Sequence, residues 1–206
     1  MFSVHSMGND KVKKLRDGRS HAPREASAWI SRFLPAAKGR GRMLDVAAGG
    51  GRHMRLGLHL GLAATGVDRN IEGLSDLAGR SDVEIIKADL EAGAPPPFAG
   101  RRFEAVVVTN YLWRPILPAI IEAVAADGIL LYETFALGQE RHGRPSNPRY
   151  LLKPNELLDF VHGKLFVAAF EDGFLEGPPG RRRRVQRIAA AGRLHPWVET
   201  APLMLR

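Results

Sequence analysis

Met43-Leu44-Asp45-Val46-Ala47-Ala48-Gly49-Gly50-Gly51-Arg52-His53 decides how this chain is read. A short apolar run carries an acid near its end, then breaks into small residues and three consecutive glycines, and a helix-compatible stretch follows. That is the order of a buried strand feeding a tight turn and a helix. Small residues let the backbone approach a ligand closely, and a helix start presents free N–H groups to it. A second apolar segment closes on Thr65-Gly66-Val67-Asp68, with Asp68 placed 23 residues beyond Asp45. A third, Val83-Glu84-Ile85-Ile86-Lys87-Ala88-Asp89-Leu90, ends in Asp89-Leu90. Three successive strands therefore finish at a glycine turn or an aspartate. In an open α/β sheet such ends gather at the carboxyl edge, where ligands bind.

Outward from this stretch the pattern keeps alternating. Ala26, Trp29, Ile30, Phe33 and Leu34 repeat at helical spacing, with Pro23 suited to the first turn. Strand one covers Met43 to Val46, and a helix runs from about Gly51 to Leu60. Strand two covers Ala63 to Val67, a short helix lies around Ile71 to Leu77, and strand three covers Val83 to Ala88. The proline run Ala94 to Phe98 is a connecting loop. Strand four is Ala105 to Thr109, and Leu117, Ile120, Ile121, Val124 and Ala125 mark the next helix. Strand five is Ile129 to Thr134. Ala136 to Tyr150 is a long Gly/Pro/Asn/Arg-rich loop of the kind that often forms a lid. A helix over Pro154 to Val161 precedes two strands, Leu165 to Phe170 and Val185 to Ala190, joined across a Gly/Pro turn as an antiparallel hairpin. Strands alternating with helices predict parallel pairing with right-handed crossovers. Residues 1–22 read as a basic flexible arm, 23–190 as one domain and 191–206 as a tail that Trp197 and Leu203 can dock; Met1 and Met7 both serve as a possible start.

Taken singly, each landmark has a plain structural reading. The glycines suit a flexible turn, Asp68 can cap the helix near Ile71, and Asp89 can cap the turn before Glu91. Their order and spacing favour a ligand, and a carboxylate at the end of strand two can accept hydrogen bonds from both hydroxyls of a ribose. A dinucleotide fingerprint fails, because Gly49-x-Gly51-x-x puts Met54 at the third glycine. Asp45-x-Ala47-x-Gly49-x-Gly51 instead resembles the first signature of class I S-adenosylmethionine-dependent methyltransferases, acidic-x-Gly-x-Gly-x-Gly, with Ala47 at the first glycine. Alanine keeps the turn small and disfavours a left-handed conformation there. The resemblance spans roughly residues 26 to 190. It implies an α/β fold: a single Rossmann-like methyltransferase domain, with a mostly parallel seven-stranded sheet, an antiparallel closing hairpin and helices on both faces. It implies S-adenosylmethionine as cofactor, held by Asp45, Ala47, Ala48, Gly49, Gly51, His53, Asp68, Arg69, Asp89, Leu90 and Asn110. Within that set Asp45 serves the loop and the methionine end, Asp68 the ribose, and Asp89 and Leu90 the adenine. Tyr132-Glu133-Thr134-Phe135 and Asn147-Pro148-x-x-Leu151-Leu152-x-Pro154-x-Glu156-Leu157 resemble a small-molecule branch near the bacterial tellurite-resistance methyltransferases.

Methyl transfer from a sulfonium needs proximity and orientation first, and a base only if the nucleophile must lose a proton. The end of strand four, Thr109-Asn110-Tyr111-Leu112-Trp113-Arg114, is the expected reaction edge. Asn110 and Tyr111 are candidates for lining the methyl or the substrate, although Tyr111 also suits packing with a wet tip. Arg114 either holds an anionic substrate or pairs with Glu133. Glu133, Glu140, Arg141 and His142 form a second tier. The seven histidines are scattered and form no metal-binding constellation.

The absence of cysteine excludes disulfides, cysteine-ligated zinc and methyl transfer through a cysteine adduct. No apolar run approaches the roughly 18 residues of a membrane span, and the first 22 residues hold no signal-peptide core; a cytoplasmic protein is expected. The net charge of +8 raises nucleic acid as a partner, but a small-molecule substrate is favoured. The chain has neither an Asn-Pro-Pro-Tyr nor an Asp-Pro-Pro-Tyr element after strand four, and no appended RNA-binding module. The run Arg181-Arg182-Arg183-Arg184 reads as a solvated hairpin tip or as a contact for a phosphate or anionic substrate. An RNA or protein methyltransferase and a non-catalytic adenosyl-ligand binder remain as alternatives.

Overall fold

Strand and helix assignments follow the two periodicities of the sequence. In a strand, successive side chains face opposite sides, and the central strands here are apolar on both, as strands covered on two faces must be. The computed structural model describes residues 25–37, 41–177 and 182–200. The basic arm, Pro23, Arg181 and Leu203, each given a role in the sequence reading, lie outside the described residues.

Seven strands form one sheet: β1 (Arg42–Val46), β2 (Ala63–Asp68), β3 (Val83–Lys87), β4 (Phe103–Thr109), β5 (Val124–Phe135), β6 (Phe166–Glu176) and β7 (Arg182–Ala191). Their order is β3-β2-β1-β4-β5-β7-β6. The first five pair in parallel, and β7 pairs antiparallel with both β5 and β6. The expected sheet and closing hairpin are both present. Helices α1 (Ala28–Phe33), α2 (Arg52–His59), α3 (Leu117–Glu122), α4 (Glu156–Val161) and α5 (Trp197–Thr200) complete the fold. No helix among the described residues is long and apolar enough to cross a membrane.

The sheet divides the core into two layers. Leu44, Val46, Val106, Val108, Leu130 and Tyr132 face one layer with Phe98, Leu112, Ile120, Leu157 and Val161. Met43, Ala105, Val107, Ile129 and Leu131 face the other, against Trp29, Ile30, Phe33, Met54 and Leu74. Helix α1 is held to the sheet by the indole N–H of Trp29, which donates to the Ile188 carbonyl at 3.2 Å. The chain after β7 returns to the same layer. Gly192 and Leu194 donate backbone N–H groups to Gly128 and Ala126, and Trp197 packs edge-on against Phe33 at 5.9 Å.

Three boundaries differ from the sequence reading. The helix after β4 stops at Glu122, and Val124 joins β5, because the Phe103 N–H takes the Ala123 carbonyl and draws the chain into the sheet. The segment expected as a helix near Ile71 to Leu77 is a 3-10 helix over Glu72–Leu77, started by Asn70 Oδ1 accepting the Glu72 N–H at 3.0 Å. The hairpin strands run farther than their apolar cores. Facing pairs Glu171–Arg187 and Glu176–Arg182 carry the ladder through a charged stretch that reads as turn by composition.

Candidate active site

Register fixes which residues meet. Val46 pairs with Val67 and with Val108, so the residues that follow, Ala47, Asp68 and Thr109, lie level at the carboxyl edge. Asp68 itself pairs with Lys87, which brings Ala88, Asp89 and Leu90 alongside.

The glycine loop is shaped by its backbone. Ala48 N–H donates to the Val67 carbonyl at 3.1 Å, and Gly51 N–H closes the turn on the Ala48 carbonyl at 2.9 Å. Gly51 has φ +70°, and a Cβ there would lie 2.5 Å from the Leu74 side chain; only glycine fits both the dihedral and the space. Ala47 has φ +56°. Ala47 thus adopts the left-handed conformation that alanine disfavours. The turn imposes the conformation, at a cost of roughly 1–2 kcal/mol. Asn110, at the end of β4, has φ +54° and donates its N–H to the Glu133 carbonyl at 2.9 Å. Two strained non-glycine residues thus stand at the ends of adjacent strands, where functional sites often hold such strain.

The loop encloses two adjoining cavities. The smaller, about 170 Å³, is lined by Ala47, Asp68, Arg69, Ala88, Asp89, Leu90, Glu91 and Tyr111. The larger, about 710 Å³, includes Ala47, Ala48, Gly49, Gly50, Arg52, Thr109, Asn110, Tyr111 and Arg183 in its wall. Most of the residues expected from the sequence are brought together here. Asp68 also serves the structure: Oδ2 accepts the Gly49 N–H at 2.7 Å and Oδ1 the Asn70 N–H at 2.8 Å. Asp89 Oδ1 accepts the Glu91 N–H at 2.9 Å. The capping and ligand readings of these acids are compatible, since each carboxylate oxygen has a second lone pair.

Three of the residues expected to hold the cofactor lie outside the cavity walls. Gly51 is the turn itself. Asp45, 1 % exposed, and His53, 2 % exposed, form the floor beneath the loop. His53 Nε2 accepts the Ser27 N–H at 3.2 Å, so the neutral ring carries its proton on Nδ1, facing Thr109 Oγ1 at 3.5 Å and Asp45 Oδ2 at 3.9 Å. Burial, assisted by the Arg52 cation, lowers His53 to about 3. The Asp45–His53 contact is thus not an ion pair near neutrality. Burial raises Asp45 to about 7, against the opposing effects of Arg52 and of the Met54 N–H bond, and Asp45 Oδ2 has no hydrogen-bond partner.

Tyr111 borders both cavities, and its hydroxyl is buried without a partner. Burial, followed by the nearby Glu91 and Asp89 carboxylates, pushes the phenol up and keeps it a neutral donor. The Tyr132 hydroxyl donates to the Tyr111 carbonyl at 2.9 Å and fixes that backbone.

Arg114, offered as a catalytic candidate, is committed elsewhere. Nε and Nη2 bind the Glu156 carboxylate at 2.7 and 2.9 Å, while Nη1 and Nη2 donate to the carbonyls of Arg149 and Leu151. Its alternative partner, Glu133, is instead bound by Ser27 Oγ at 2.9 Å and lies 3.7 Å from Arg187. Arg114 is a tie between segments.

Several lining residues escaped the sequence reading. Arg52 follows the glycines directly, and Glu91 follows Asp89-Leu90, so proximity to the motifs was a usable signal for both. Ser27 reaches His53 from the start of α1 and carries no local signature, whereas Arg183, which borders the cleft from a distant hairpin, belongs to the arginine run that the sequence offered either as a solvated tip or as an anion contact.

No protein-family model matches the sequence, and no curated protein matches it. Solved structures do. TehB from Haemophilus influenzae is 18 % identical with a TM-score of 0.58, over 73 % of this chain and 57 % of that one. An S-adenosylmethionine-dependent methyltransferase from Mesorhizobium loti is 16 % identical with a TM-score of 0.60, over 79 % and 95 % of the two chains. The glycopeptide N-methyltransferase MtfA, solved with S-adenosylmethionine, is 17 % identical with a TM-score of 0.52, over 79 % and 85 %. The chain spans little more than half the length of TehB. These likenesses show the fold alone, a Rossmann-like sheet that this chain shares with them.

Proposed function

We propose that this chain is an S-adenosylmethionine-dependent methyltransferase acting on a small molecule. The observation that carries the reading is the convergence of the glycine loop, Asp68, Asp89-Leu90 and an unsatisfied Tyr111 hydroxyl on one pair of cavities. The residues present fit the cofactor. Asp68 and Arg69 suit the ribose, and Asp89 and Leu90 the adenine. The outward glycine backbone at Gly49, where a Cβ would meet nothing within 4 Å, suits a closely approaching chain. The partnerless Asp45 oxygen lies beneath the loop, where its charge acts on a ligand's ammonium through the loop and not by contact.

When bound, S-adenosylmethionine supplies a methyl group already activated by the sulfonium charge. The protein's part is orientation. Tyr111 stands at the shared wall of the two cavities and Asn110 beside it in the larger one, where they can fix an acceptor and shield it from water. His53 is occupied by the Ser27 amide, so its work is to hold the start of α1 against the loop.

Calorimetric titration with S-adenosylmethionine, with NAD as control, tests the reading. Saturable binding of the sulfonium ligand alone is expected. Asp68→Ala should weaken it roughly 10- to 100-fold, because ribose hydrogen bonds to a carboxylate and the Gly49 tether are both lost. Unchanged affinity in the variant would remove Asp68 from the site, and a preference for NAD would overturn the assignment.

A further inference from the structure

Beyond the loop and Tyr111, the larger cavity is bordered by Arg183, which is also part of the wall of a third cavity of about 520 Å³. Gln139, Arg144 and Arg182 share that wall with Arg183. The volume is in the range of small-ligand pockets, about 300–1,000 Å³. Arg183 is common to both walls.

The charges around this space are not balanced. Arg182 is paired with Glu176 at 2.9 Å, and Arg184 with Asp172. Arg183 faces Leu175 across the hairpin, so the facing strand offers it no charge. Glu140, the acid of the neighbouring loop, turns back to accept the Gly138 N–H at 2.8 Å. Among the described residues, neither Arg183 nor Arg144 has a carboxylate partner. Arg55, in the larger cavity, is by contrast neutralised by Asp76 at 2.6 and 2.8 Å.

The two unpaired arginines come from separate elements that are bolted together. Gln139, 2 % exposed, accepts the Arg184 N–H on Oε1 at 2.8 Å and donates from Nε2 toward the Arg144 carbonyl at 3.4 Å. Ala136 N–H donates to the Arg184 carbonyl at 2.9 Å. The neck of the loop is closed by the Ala136–Leu152 bridge. The loop expected as a lid is therefore anchored at its neck, and it delivers Arg144 to the same wall as Arg183.

We infer that the acceptor is a small anion bearing a carboxylate, phosphate or similar oxyanion. That anionic group sits between Arg183 and Arg144, with the acceptor reaching past Arg183 toward Tyr111. Arginine forks match such groups with charge-assisted hydrogen bonds. The inference rests on the methyltransferase reading above and assigns the substrate class for the same site.

The test follows radiolabel from the methyl of S-adenosylmethionine into extract of the source cells, separated into macromolecules and small molecules, the latter split on an anion exchanger. Label is expected in the retained, anionic small-molecule fraction. Arg183→Gln and Arg144→Gln should each raise the acceptor KM about tenfold or more, with cofactor affinity by calorimetry within about twofold of wild type, and Arg183→Lys should recover part of the loss. Label in the unretained fraction, in RNA or in protein overturns the inference. So does cofactor binding with no label in any fraction, or an acceptor KM indifferent to both arginines. Failure to bind S-adenosylmethionine at all is a separate result that strikes the underlying reading.

Discussion

At the scale of single residues, the site is marked by groups that the fold leaves uncomfortable. Ala47 and Asn110 sit at positive φ at the ends of adjacent strands, and Tyr111 keeps a buried hydroxyl without a partner. An unsatisfied buried donor costs about 1–3 kcal/mol, so its retention asks for a use outside the unliganded fold. Tyr111→Phe therefore separates stability from activity. Denaturant unfolding of the ligand-free variant should show a gain of about 1 kcal/mol, while the methyl-transfer rate falls tenfold or more and cofactor affinity is kept. A variant that is less stable and fully active would make Tyr111 a packing residue. Arg52 and Glu91 illustrate the same scale from the other side, since both line the cleft through their place next to a motif residue.

At the scale of elements, what was legible was what is encoded locally. The strand-turn-helix at Met43 to His53, the aspartates after β2 and β3, and the hairpin all follow from period and spacing within a dozen residues. Two kinds of feature did not. Polar strand extensions such as Glu171 to Glu176 depend on cross-strand charge partners that composition does not reveal. Ties between distant segments depend on the folded register. Arg114 is the clearest case: its sequence neighbourhood offered an anionic substrate or Glu133, and its actual bonds join the end of β4 to α4 and the loop at Arg149 to Leu151. Arg114→Ala should lower unfolding free energy by about 2 kcal/mol, since charge-assisted bonds and two carbonyl acceptors lose their partner. Cofactor affinity should stay within about twofold. Lost transfer with unchanged denaturation would restore the catalytic role that the geometry argues against.

At the scale of the whole molecule, the buried Asp45–His53 pair couples the site to pH. Asp45 rises from an ordinary 3.8 to about 7, and His53 falls from 6.5 to about 3. Between about pH 4 and 6.5 the folded chain holds a proton on Asp45 that the unfolded chain has released, so this group's contribution to stability falls as pH rises. In the same window the unfolded chain holds a proton on His53 that the folded chain lacks, so that contribution rises with pH. The two slopes oppose each other, and the ligand-free protein should show little net pH dependence from this pair. Binding breaks the balance. A cationic ammonium above the loop favours the Asp45 carboxylate beneath it and leaves the neutral His53 as it is. Cofactor association at pH 6 should therefore release a fraction of a proton, and affinity should climb with pH below about 7, where it levels. Calorimetry at pH 6 in two buffers of different ionisation enthalpy reads the released proton directly. Asp45→Asn should abolish the release and flatten the affinity profile, whereas a proton still released by that variant would place the titrating group elsewhere.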